Sequence, residues 1–139
     1  MAFVQNTLAT RVKQPRAASV QILPADTTAQ KVVDTAGASG SKYTSLIATS
    51  TDTAAHDLQI SRTNGGTSYL LGTVAVPAGA GNSSGVPSVN LLNFVGLPTD
   101  SDGNPYIHLI YGDTLTVSSV VTVTTAKAIN INAPTIGDF

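Results

Sequence analysis

The stretch TLTVSSVVTVT, Thr114 to Thr124, decides the fold class. Leu115, Val117, Val121 and Val123 hold odd positions, and Thr116, Ser118, Thr122 and Thr124 hold even ones. A period of two puts alternate side chains on opposite faces of an extended strand. β-Branched residues on both faces suit a pleated surface. Downstream, Ile129 and Ile131 alternate with Asn130 and Asn132 and predict a last strand. Upstream, Tyr106 to Tyr111 is entered through the turn Asp102-Gly103-Asn104-Pro105.

The same period runs back toward the N-terminus. Asn64-Gly65-Gly66 is the strongest hairpin signal, because Asn and Gly accept the positive φ of a primed turn. It joins a half-buried strand carrying Leu58 and Ile60 to a return strand from Tyr69 to Val76. Residues 42–50 are apolar on both faces and predict a central strand, after the turn Gly37-Ala38-Ser39-Gly40-Ser41. Lys31 to Thr35 is a short strand, and Val20 and Ile22 share a face before Pro24. One segment predicts a helix. Ser88 caps it, Leu91, Leu92 and Val95 share a helical face, and Gly96 and Pro98 end it. Seven or eight strands with short turns predict an all-β domain, a β-sandwich or jelly roll with one short helix, over residues 18–139. Residues 1–17 read as an extended N-terminal arm. It holds Arg11, Lys13 and Arg16, no acid precedes Asp26, and Pro15 interrupts any regular element.

Composition narrows the function. Of the 139 residues 11% are charged, against about 25% in an ordinary domain. All eight acids are Asp and the net charge is −1, which argues against nucleic acid as a partner. Residues 1–10 carry no basic-then-apolar leader, and no apolar run reaches the ~20 residues of a membrane span. A surface so poor in charge and rich in Ser, Thr, Ala and Gly suits a subunit packed among neighbours.

Chemistry-bearing motifs are few. There is no Cys and no Glu, and the two histidines, His56 and His108, share strand parity with apolar residues and read as structural. No Gly-x-Ser-x-Gly elbow occurs. The Gly37–Lys42 and Gly79–Gly85 stretches have the wrong spacing for phosphate or dinucleotide loops. Asp100, Asp102 and Asn104 begin like a calcium loop, but Pro105 and Tyr111 stand where Gly and Glu are needed, so an Asx turn is the expectation. No enzyme, metal or other cofactor is expected.

Three stretches carry a resemblance to a known family: TVAVPAGAGNSSGVPSVNLLN (Thr73 to Asn93), LPTDSDGNPYIHL (Leu97 to Leu109), and TVTTAK (Thr122 to Lys127) with the ending Ile136-Gly137-Asp138-Phe139. From Tyr69 to Phe139 the chain resembles small β-rich structural proteins of tailed bacteriophages, and in particular capsid decoration (cement) proteins. The resemblance covers about half the chain and lies in segment order, with no invariant chemical motif. It implies a virion protein, made in a bacterial cytoplasm, that sits on the outside of the head. Its partners are then the major capsid protein and its own copies, as homodimer or homotrimer. In that setting Arg11, Lys13 and Arg16 are expected to contact the capsid, Leu91, Leu92, Phe94 and Val95 to form an apolar edge, and Phe139 to anchor the C-terminus. The alternatives are a phage tail or head–tail connector component and a carbohydrate-binding or adhesin module.

Overall fold

A computed structural model describes residues 14–139. Among these residues ten strands form two antiparallel sheets. The strands are β1 (Gln14–Ile22), β2 (Lys31–Thr35), β3 (Ser41–Tyr43), β4 (Ile47–Ser50), β5 (His56–Asn64), β6 (Thr67–Val76), β7 (Val89–Asn90), β8 (Ile107–Leu109), β9 (Thr114–Ser119) and β10 (Ile129–Asp138). A 3-10 turn, Pro24–Asp26, joins β1 to β2. Among the described residues no helix is long and apolar enough to cross a membrane.

The six-stranded sheet is organised by β10. Strand β1 pairs along one side of it, and β4 and then β3 pair along the other, with β7 and β8 outside them. The expected strand 42–50 is therefore split at Thr44–Leu46 into β3 and β4, which share the long partner. The four-stranded sheet runs β2-β9-β5-β6. Both sheets contribute to one buried cluster: Ile22, Ile129, Ile131 and Ile136 from the first, and Leu58, Ile60, Leu115 and Val117 from the second. Each such side chain contributes roughly 1.5–3 kcal/mol by leaving water.

The hairpin forms as the sequence predicts. Asn64 pairs with Thr67, and Gly65 (φ 58°) and Gly66 (φ 82°) occupy the positive-φ positions between them. Asp100 builds the expected Asx turn, accepting from the backbone N–H groups of Asp102 (2.9 Å) and Asn104 (3.0 Å).

Three expectations are corrected. The segment 89–95 is not a helix. Leu91 N–H donates to Leu46 C=O at 2.7 Å, and Asn90 Oδ1 accepts from the N–H groups of Leu46 and Leu92. A seven-residue run is too short to hold a helix alone, so sheet pairing to β4 prevails. The strand expected to reach Thr124 leaves the sheet after Ser119, because the Thr124 N–H turns inward to the carboxylate of Asp52 (2.9 Å). Residues 14–17, expected as the end of an arm, belong to β1: Pro15 pairs with Gly137 and Arg16 with Ile136. Strand β1 is an edge, where a proline removes no ladder bond from a second neighbour.

Candidate interaction surface

Among the described residues strand β6 is the outer strand of the four-stranded sheet, bonded only to β5. Thr67, Ser68, Tyr69 and Leu70 are all exposed, with Tyr69 at 52% and Leu70 at 57%. Leu71 is the extra residue of a bulge, since Ile60 pairs with Gly72 and Ser61 with Leu70. Among the described residues no backbone hydrogen bond outside the sheet ladder uses residues 67–76. The exposed half of this strand, Thr67 to Leu70, therefore carries outward N–H and C=O groups with no backbone partner among the described residues, while Val76 at its end is buried. The strand TSYLLGTVAV carries no charge and no proline, and so has only the bulge at Leu71 among the usual guards of an edge.

Beside this edge an apolar cleft of about 450 Å³ runs between the two sheets. Leu71, Leu97, Pro98, Ile107 and Leu109 line it, with Arg62, Tyr106 and His108 as its polar members. Phe94 closes the sandwich nearby. It lies against Gly72, where an added Cβ would be only 2.6 Å from the ring. Val95 beside it is fully exposed, and Ile110 (56%) and Tyr111 (72%) follow β8. The exposed Leu70, Val95 and Ile110 each adjoin in sequence a residue that lines the cleft, namely Leu71, Gly96 and Leu109.

Charges beside the cleft are mostly neutralised within the chain. Arg62 Nε donates to Asp113 Oδ2 at 2.6 Å, and Asn64 donates to the other oxygen. Burial pushes the Asp113 carboxyl up, but Arg62 and Asn64 outweigh it and hold it below the usual carboxylate range. Lys42 Nζ sits 4.7 Å above the Tyr106 ring, a cation–π contact.

The expected contact residues fall in different places. Arg11 and Lys13 lie outside the described residues. Arg16 is engaged within the chain. It grips both oxygens of Asp34 (2.5 and 2.8 Å) and donates through Nε to Asp138 (2.7 Å). Ser41 donates to Asp138 at 2.6 Å, and Tyr43 donates to Asp34 at 2.5 Å. Burial and then the Asp34 contact raise the Tyr43 hydroxyl well above its ordinary range. This cluster ties β1, β2, β3 and β10 together. Leu91 and Leu92 are both 0% exposed and belong to the core, not to an apolar edge. Phe94 is half-buried on Gly72, which leaves Val95 as the fully exposed member of that set. Phe139 is half-buried in its own chain, its ring edge-on to His108 at 5.1 Å and its N–H bonded to Gly40 C=O.

One constellation escaped the sequence reading. His56 lies between Asp52 (Nε2 to Oδ2, 2.7 Å) and Ser119 (Nδ1 to Oγ, 3.0 Å). The residue types are those of a hydrolytic triad, but the protons are committed elsewhere. Ser119 Oγ donates to Val121 C=O at 2.6 Å, so its hydroxyl proton is directed away from His56. Ser119 and Asp52 are each 1% exposed, which leaves no room for a substrate carbonyl at the hydroxyl. The three residues hold the β4–β5 connection against the chain leaving β9. His56 is buried, as its parity predicts, and its partners are what the parity left unstated.

Comparison of the chain with family models, with curated proteins and with solved structures finds no match in any of the three.

Proposed function

We propose that the chain is a non-catalytic structural subunit that binds neighbouring protein subunits, and that its place is the outer surface of a tailed-phage head, as a decoration protein. One observation carries the reading: a ten-residue uncharged outer strand, β6, exposes Tyr69 and Leu70 beside an apolar cleft whose lining residues Leu71, Gly96 and Leu109 adjoin the exposed Leu70, Val95 and Ile110. An open edge adds strands from a partner through main-chain bonds, and neighbouring apolar pockets add specificity. Exposed apolar side chains on such an edge suit a protein contact. The resemblance of residues 69–139 to phage head proteins supplies the setting. In this reading the major capsid protein is the principal partner, and Arg11 and Lys13 are expected to contact it.

The two sheets suit a jelly-roll arrangement. The chain crosses between them six times: β1 to β2, β2 to β3, β4 to β5, β6 to β7, β8 to β9 and β9 to β10.

The test is quantitative mass spectrometry of gradient-purified phage particles containing the chain. Copies in the hundreds, in a simple ratio to the shell subunit, are expected. A few to a few tens of copies would move the chain to the tail or connector. Its absence from particles would overturn a virion role and leave the carbohydrate-binding module to be tested.

A further inference from the structure

We propose that β6 is a homodimerisation edge: two copies of the chain pair their β6 strands antiparallel about a two-fold axis and fuse two four-stranded sheets into one. This deepens the reading above, since it names a second copy as the occupant of the open edge, and it rests on that reading of β6 as a contact.

Among the described residues every other edge of the two sheets is guarded. Strand β1 carries Pro15 and Arg16 and is broken by an irregularity between Arg16 and Ala18. Strand β2 has five residues, begins with Lys31 and is bulged between Val32 and Asp34. Strands β7 and β8 have two and three residues. Short length, proline, lysine and bulges are the devices by which sheets avoid unwanted pairing. Against them β6 has ten residues and no charged or proline residue. Its single irregularity, at Leu71, falls near the middle and leaves a regular stretch on either side.

A second copy fits this edge for an electrostatic reason. Antiparallel pairing about a two-fold sets the strand opposite itself, so any charge on it would face its own kind or lie near it. Like charges across a pair are destabilising. The sequence TSYLLGTVAV has none to oppose. The self-paired strands present only Thr, Ser, Tyr, Leu, Gly, Ala and Val to each other, and β-branched and aromatic cross-strand pairs are favourable. The symmetry is closed, so the contact yields a dimer and not a fibre. Tyr69 and Leu70, more than half exposed in the single chain, become partly covered.

The experiment is sedimentation equilibrium over a micromolar to millimolar series, with amide hydrogen exchange at both ends of it. The expected result is a monomer–dimer equilibrium reaching twice the 14.1 kDa chain mass. Protection should rise with concentration inside residues 67–76 and stay unchanged in β1. Leu70→Lys and Thr73→Lys should each weaken the dimer at least about tenfold with an unchanged urea midpoint. Ser19→Lys on β1 should leave it intact. A monomer throughout, a trimer, or concentration-dependent protection that spares β6 would overturn the proposal. Should a lysine variant unfold, the exchange pattern of the native chain still decides. Dimerisation is read without particles, so a monomer that is nevertheless abundant on phage heads would defeat this inference alone.

Discussion

Oδ2 of Asp52 lies 2.7 Å from Nε2 of His56 and also accepts the backbone N–H of Thr124 at 2.9 Å. Burial by itself pushes this carboxyl up. The bonds from Thr124, His56 and Ala54 outweigh it and hold the group far below the ordinary carboxylate range. A carboxylate depressed in the folded chain stabilises it above the unfolded value of about 4. That contribution is lost as pH falls from there toward the folded value. Asp113 and Asp138 are depressed as well and add to the same window. The urea midpoint should therefore hold steady from neutrality to about pH 5 and fall steeply below about pH 4. Asp52→Asn should cost about 1–3 kcal/mol at pH 7, because the bonds from Thr124, Ala54 and His56 lose their buried carboxylate acceptor. It should also flatten the acid slope. An unchanged slope would remove Asp52 from the acid response.

Arg16 joins three elements through a single guanidinium, so its loss should be felt well beyond β1. Its side chain is 28% exposed, and solvent screens part of the interaction. Arg16→Ala should lower stability by about 1–3 kcal/mol by urea titration. Arg16→Lys should recover little, because an ammonium cannot bridge both oxygens of Asp34 and reach Asp138 as well. For the same reason a chain beginning at Ala18 should unfold at lower urea than one beginning at Gln14. Equal midpoints would show that the cluster contributes nothing net.

Much of this was legible in the sequence, and the reason is periodicity. Strand β2, the Asn64-Gly65-Gly66 turn, and the inward faces of β5 and β9 follow from local pattern alone. The ion cluster did not, because Arg16 and Asp138 are 122 residues apart and meet only through the β1–β10 register. The Asp52–His56–Ser119 group was half legible. Ser119 shares the parity of Leu115 and Val117, and His56 shares that of Leu58 and Ile60, so both point inward. What parity could not supply was the pairing of β5 with β9. The helix expectation failed because capping residues and an apolar face were present without the length to sustain a helix against sheet pairing.

The contact between Gly72 and Phe94 predicts a coupled pair. A Cβ on residue 72 would come within 2.6–2.8 Å of three ring atoms, so Gly72→Ala should cost about 1–3 kcal/mol through overpacking. Phe94→Ala opens the edge of the sandwich and should destabilise as well. Combined, the two should cost less than their sum by about 0.5–3 kcal/mol, because the smaller side chain admits the new methyl. Strict additivity in a double-mutant cycle would show that Phe94 does not rest on Gly72 in solution.

Residues 91–95 pass from core to surface within five positions, and this gives the sharpest separation of stability from binding. Leu91 and Leu92 are fully buried and Val95 is fully exposed. Leu91→Ala and Leu92→Ala should each cost about 2–5 kcal/mol, the range for deleting a buried leucine side chain. Val95→Asp should stay within about 0.5 kcal/mol of the parent, since it touches no core group. If the rim around Val95 meets a neighbouring subunit, the aspartate places an unpaired charge in a desolvated contact. The copy number of the Val95→Asp chain on phage particles should then fall although its urea midpoint does not. The leucine variants should lose copies only in proportion to the unfolded fraction. A Val95→Asp chain that folds normally and keeps full occupancy would place the contact elsewhere on the molecule, while a large loss of its stability would mean that Val95 packs inward.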